Sequence, residues 1–114
     1  MAAYAVAHLR HVNVGHEIIE YITRIDATLE PYDGRFLIHG GPVNRLHGEW
    51  SGDLVVIEFP NLENAHAWYA SPEYQAILRL RTDNSDGDAF IVDRLPHGYR
   101  AADKLAKLLA TSAA

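Results

Sequence analysis

Three side chains of this 114-residue sequence are singled out as candidates to exchange protons with a bound molecule: Glu58, His8 and His39. Glu58 is an acid inside the apolar run Leu54-Val55-Val56-Ile57-Glu58-Phe59. Burial there would disfavour the carboxylate and raise its pKa, which makes it a candidate general acid or base. The structural alternative is a salt bridge to Arg10, Arg35 or a partner subunit. His8 and His39 sit in segments of strand character, and an imidazole titrates near neutrality. A second group is suited to gripping a ligand. Trp68, Tyr69 and Tyr74 surround Ser71-Pro72 and could line a cleft for a planar molecule, or simply fill the space left by a helix break. Arg35, Arg79 and Arg81 could bind a ligand's carboxylate, or pair with acids such as Glu73 and Asp83.

Other chemistries are poorly supplied. With no cysteine there is no disulfide framework, thiol nucleophile, iron–sulfur cluster or cysteine-built zinc site. His8 and His11, three apart on a strand, point to opposite faces. His39 and His47 flank the Gly40-Gly41-Pro42 turn, but spacing suggests no third ligand. Neither a metal nor a cofactor is expected. The sequence has no Ser-His-Asp arrangement, phosphate-cradling loop or dinucleotide fingerprint. A net charge of −5 with scattered Lys and Arg argues against a nucleic-acid partner. No apolar stretch approaches the roughly 20 residues of a membrane span. Met1 to Arg10 lacks the pattern of a signal peptide, so the expected address is the cytosol.

The elements that must position these residues follow from periodicity and punctuation. Tyr4 to His11 reads as a strand. Ile18, Ile22, Ile25 and Leu29 then fall at helical steps, with Tyr21 extending the stripe and Pro31 and Gly34 ending it. Arg35 to His39 is a short strand, closed by Gly40-Gly41-Pro42. Val43 to Trp50 is irregular, and Leu54 to Phe59 is the strongest strand. Asn61 caps a helix from Leu62 to about Ala70, and Ser71-Pro72-Glu73 starts another. Asp83 to Asp88 reads as a polar loop and Ala89 to Leu95 as the last strand. Ala101, Ala102, Leu105, Leu108 and Leu109 have the spacing of a C-terminal helix.

That order predicts an α+β fold: a ferredoxin-like βαββαβ sandwich with a four-stranded antiparallel sheet and helices on one face. Residues 1–98 form this domain and residues 99–114 a helical extension. Alternation sends Val55, Ile57 and Phe59 to one side of the sheet and Leu54, Val56 and Glu58 to the other. Phe90 and Val92 likewise oppose Ala89 and Ile91. Both faces are therefore largely apolar, whereas a sheet with one wet face should be polar at alternate positions. Leaving such side chains in water costs roughly 1.5–3 kcal/mol each, so a homodimer paired through the helix-free face is expected.

Three segments carry a family resemblance: Gly34-Arg35-Phe36-Leu37-Ile38-His39-Gly40-Gly41, Val55-Val56-Ile57-Glu58-Phe59-Pro60, and Ala67-Trp68-Tyr69-Ala70-Ser71-Pro72-Glu73-Tyr74-Gln75. The last is the most specific. From about Tyr4 to Leu95 the chain resembles the DUF1330 family of small uncharacterised proteins in the dimeric α+β barrel superfamily. The resemblance implies the ferredoxin-like fold and the two-fold barrel, and it implies no particular activity. Members often carry arginine just before the double glycine, where this chain has His39. The segment from Tyr99 onward extends past the usual end. The expected function is binding of a small organic molecule between sheet and helices. Cofactor-independent acid–base chemistry of monooxygenase or isomerase type could accompany it; the alternative is a non-catalytic ligand-binding or protein-interaction module.

Overall fold

The computed structural model describes residues 1–112, so the end of the predicted extension, residues 113–114, lies outside the described residues. Strand β1 (Ala3–Val12) leads into helix α1 (His16–Leu29), and a one-turn 3-10 helix at Glu30–Tyr32 returns the chain to β2 (Arg35–His39). Strand β3 (Asp53–Phe59) follows a long irregular segment, then helices α2 (Leu62–Ala70) and α3 (Pro72–Thr82), strand β4 (Ser85–Asp93) and helix α4 (Ala101–Ser112). The sheet order is β2-β3-β1-β4 with every neighbouring pair antiparallel, the ferredoxin-like arrangement.

The break between α2 and α3 is built from one serine. Ser71 has extended backbone angles that end α2, and its hydroxyl donates to the Trp68 carbonyl at 2.7 Å. The same oxygen accepts from the Tyr74 amide at 3.2 Å and so caps α3, with Pro72 at the first helical position. Asn61 caps α2 in the same manner, accepting from the Asn64 amide at 2.7 Å. The core lies between these helices and one face of the sheet. It gathers Ala3, Ile57 and Phe59 from the strands with Ile25, Leu29, Trp68, Tyr74 and Ile77 from the helices.

Two features depart from the sequence expectation. The last strand begins at Ser85 and ends at Asp93, four residues earlier than the apolar run indicates at its start and two earlier at its end. Its polar opening is held by β1. Arg10 reaches Asp88 at 2.6 Å and Asp86 at 3.2 Å, and Gly87 lies so close to the β1 backbone that an added Cβ would stand 2.1 Å from the His8 carbonyl oxygen. Glycine is thus required there by close approach, and the apolar pattern cannot register it. The second departure is Ile22, which shares the α1 stripe yet is half exposed, because that part of α1 overhangs an open cavity.

The opposite face of the sheet carries no helix and is apolar. Val6, Val56, Ile38, Phe90 and Val92 point outward there, with Ile38, Phe90 and Val92 exposed by 42%, 54% and 45%. Helix α4 does not cover it, and its own Leu105 and Leu108 are more than half exposed. No helix among the described residues is long and apolar enough to cross a membrane.

Candidate functional site

Between the helices and the inner sheet face lies a cavity of about 700 Å³. Its floor is low because small residues stand where the strands cross the sheet centre. Ala5 and Ala7 of β1 face it, and Ala7 is paired with Ala89 of β4 on one side and Val55 of β3 on the other. Larger side chains at these positions would fill the gap with core. The walls come from α1 through Ile18, Tyr21, Ile22 and Ile25, and from the broken α2–α3 segment through Trp68, Tyr69 and Tyr74. The volume and apolar lining suit a drug-sized organic molecule.

The aromatic residues serve both core and wall. Trp68 and Tyr74 are almost fully buried and pack with ring centroids 4.1 Å apart, while Tyr69 is partly exposed and lies 5.7 Å from Tyr74. Trp68 Nε1 donates to Thr28 Oγ1 at 2.9 Å, and that hydroxyl donates to the Ile25 carbonyl at 2.6 Å. The indole orientation is thereby fixed. Tyr21 and Tyr74 join hydroxyl to hydroxyl at 2.8 Å, and the Arg81 guanidinium interacts with both.

Burial foremost, and then the neighbouring Tyr74, pushes the Tyr21 phenol well above its ordinary value despite the opposing pull of Arg81. Burial alone would lower the Arg81 pKa, but its contacts with Tyr74 and Tyr21 prevail and raise it. The pair is therefore a neutral phenol beside a permanent cation. Unfolding exposes Tyr21, which then ionises near pH 10. The folded state holds that proton to higher pH, so stability falls as pH rises above about 10. Tyr21→Phe should make this alkaline fall shallower in urea titrations across pH 9–11.5. An unchanged slope would contradict the burial of that phenol.

Arg79 aside, the candidate residues divide between the cavity and the helix-free face of the sheet. His39, Trp68, Tyr69, Tyr74 and Arg81 line the cavity. Glu58, Arg35 and His8 do not. Glu58 points to the helix-free face, where the Arg35 Nε donates to its Oε1 at 2.8 Å, which is the ion-pair alternative for that acid. His8 points to the same face, stacked on Trp50 with centroids 4.3 Å apart and bonded to the Ser51 carbonyl at 2.9 Å. Arg79 pairs with Asp83 along α3. His39 reaches the cavity through a bulge. Strict alternation would set it opposite Phe36, but the register slips between Phe36 and Ile38 and returns His39 to the inner face, stacked on Phe36 at 4.5 Å.

Sequence reasoning missed Asp53 and His66 as lining residues and treated Tyr21 only as part of a core stripe. A tyrosine among isoleucines on a buried helix stripe was the available signal, since a buried phenol needs a partner. Among the described residues no group of three His, Asp or Glu side chains could hold a metal ion.

The order β2-β3-β1-β4, with α1 to α3 on one face, defines a ferredoxin-like α+β protein with a cavity under its helices. Residues 2–95 match the domain of unknown function DUF1330, and the chain belongs to that family. Among solved structures it is similar to a protein of unknown function, RPA0582, from Rhodopseudomonas palustris, at 15% identity and TM-score 0.62, covering 83% of each chain. A dimeric ferredoxin-like protein of unknown function from Jannaschia sp. CCS1 is 12% identical with a TM-score of 0.64, covering 82% of this chain and all of that one (100%). A dimeric ferredoxin-like protein of unknown function from Thermobifida fusca YX is 17% identical at TM-score 0.56, covering 82% and 92%. At such identities these likenesses concern the fold. A comparison with curated proteins gave no match.

Proposed function

We propose that the protein is a homodimer that binds a small organic molecule in the cavity between its sheet and helices. The observation that carries this reading is the cavity itself, about 700 Å³ over an alanine floor in a domain otherwise closely packed. Trp68, Tyr69 and Tyr74 are its ligand-contacting aromatics, and Arg81 its cationic group. Arg35, committed to Glu58, is left out of the binding set. The dimer is supported by the apolar helix-free face and by the description of the Jannaschia and Thermobifida proteins as dimeric. Residues 1–98 form the barrel domain in this reading and 99–114 an extension, consistent with a family match that ends at residue 95.

A second reading adds catalysis. His39, Asp53 and His66 line the same cavity and offer titratable groups for cofactor-independent acid–base chemistry. Of the proton-exchanging candidates, His39 alone is then retained, because Glu58 and His8 face away from the ligand. A non-catalytic binding module needs only the aromatic and apolar walls.

The test is a thermal-shift screen of small aromatic and keto acids on the intact protein and on Ala7→Leu, which fills the floor. The expected result is stabilisation of the intact protein by at least one compound class and loss of that shift in the filled variant, with folding retained. Equal shifts in both would put the ligand elsewhere.

A further inference from the structure

Tyr74 and Arg81 are seven residues apart on α3 and so share one face two turns apart. Long side chains on a helix lean toward its N-terminus, which brings the Arg81 guanidinium back toward Tyr74. Packing of α1 against α3 then adds Tyr21, and the two phenols and the guanidinium meet at the cavity wall.

This cluster is rich in donors and poor in acceptors. The guanidinium carries five N–H groups, and each phenol carries one O–H. In the 2.8 Å contact between the phenols one hydroxyl donates and the other accepts, so one phenol proton is left over from that bond. Arg10, Arg24, Arg35, Arg45 and Arg79 each have a carboxylate partner, and Arg94 and Arg100 lie outside the cavity lining. Among the described residues no carboxylate forms a salt bridge with Arg81, which interacts with the Tyr21 and Tyr74 hydroxyls. A partly buried cation without a counter-ion is costly, and a bound carboxylate would offset that cost by accepting from guanidinium and phenol together. Tyr21, held protonated by its burial, is available as a donor at ordinary pH.

We infer that the cavity takes a carboxylate with an apolar body, the carboxylate meeting Arg81 and the Tyr21–Tyr74 pair and the body lying over Ala5, Ala7 and Ala89. The inference rests on the cavity reading above and adds the chemical class of the ligand to it. A neutral amide of the same shape brings donors of its own to a site already crowded with them, and a cation would face Arg81 directly.

Isothermal titration of the intact protein with 2-naphthoate and 2-naphthamide, and with dodecanoate and dodecanamide, tests it. At least one acid should bind about tenfold or more tightly than its amide. In Arg81→Gln that preference should fall to near parity. Equal affinity of acid and amide in the intact protein overturns the carboxylate assignment and leaves the cavity reading standing. A preference that survives Arg81→Gln overturns the assignment to Arg81. Failure of all four compounds to bind overturns both readings. Because the acid–amide comparison is made on unaltered protein, the outcome does not depend on the variant folding.

Discussion

Val56→Asp should convert the protein from a dimer to a folded monomer, with the mass by light scattering falling to the 12.7 kDa of one chain. Val56 stands at the centre of the helix-free face, paired with Val6 on one side and Ile38 on the other. In a face-to-face dimer an aspartate there loses its water beside Val6 and Ile38, a cost of several kcal/mol. The two-fold axis imposes that cost twice, once from each protomer. In a monomer the same side chain is only half-buried and can reach solvent. Circular dichroism should therefore show an intact fold. A Val56→Asp protein that remains dimeric with undiminished affinity would place the interface elsewhere.

Phe59→Ala should cost about 3–5 kcal/mol, the range for removing a fully buried aromatic ring. Phe59 is 0% exposed at the end of β3 and packs against Trp68 with centroids 5.4 Å apart. The chain is folded closely around it: a Cβ on Gly34 would stand 2.7 Å from the Phe59 ring. Neighbours held by backbone cannot collapse into the space left, so the cavity term adds to the lost burial. Small domains have only about 5–15 kcal/mol of stability, and the variant should unfold at a much lower urea concentration. In the proposed dimer, pairing adds to the apparent stability by mass action, so the comparison belongs at one protein concentration. A loss below about 1 kcal/mol would mean that this corner of the core repacks freely.

Local chemistry was the legible part of this fold. Ser71-Pro72-Glu73 announced the helix break because a capping hydroxyl and a proline act on their immediate neighbours, and Asn61 did the same for α2. Two-sided apolar character in β3 was likewise readable from alternation alone. The start of β4 was not, because Asp86, Gly87 and Asp88 belong to the strand through Arg10 and the β1 backbone, some 76 to 78 residues away for the ion pairs. Nor was the position of His39. A one-residue slip in β2 decides which face it takes, and no residue type marks that slip. The Tyr21–Tyr74–Arg81 cluster joins side chains on α1 and α3, 53 residues apart for the phenols, and only the packing of those helices brings them together.

The two tryptophans report on opposite faces of the sheet, which gives the cavity reading its most direct test. Trp68 forms part of the cavity wall, while Trp50 stacks on His8 across the sheet. In nitrogen-15 spectra titrated with 2-naphthoate and with dodecanoate, the Trp68 indole resonance should move with at least one acid and the Trp50 resonance should stay still. Movement of Trp50 alone, or of neither, would contradict the account.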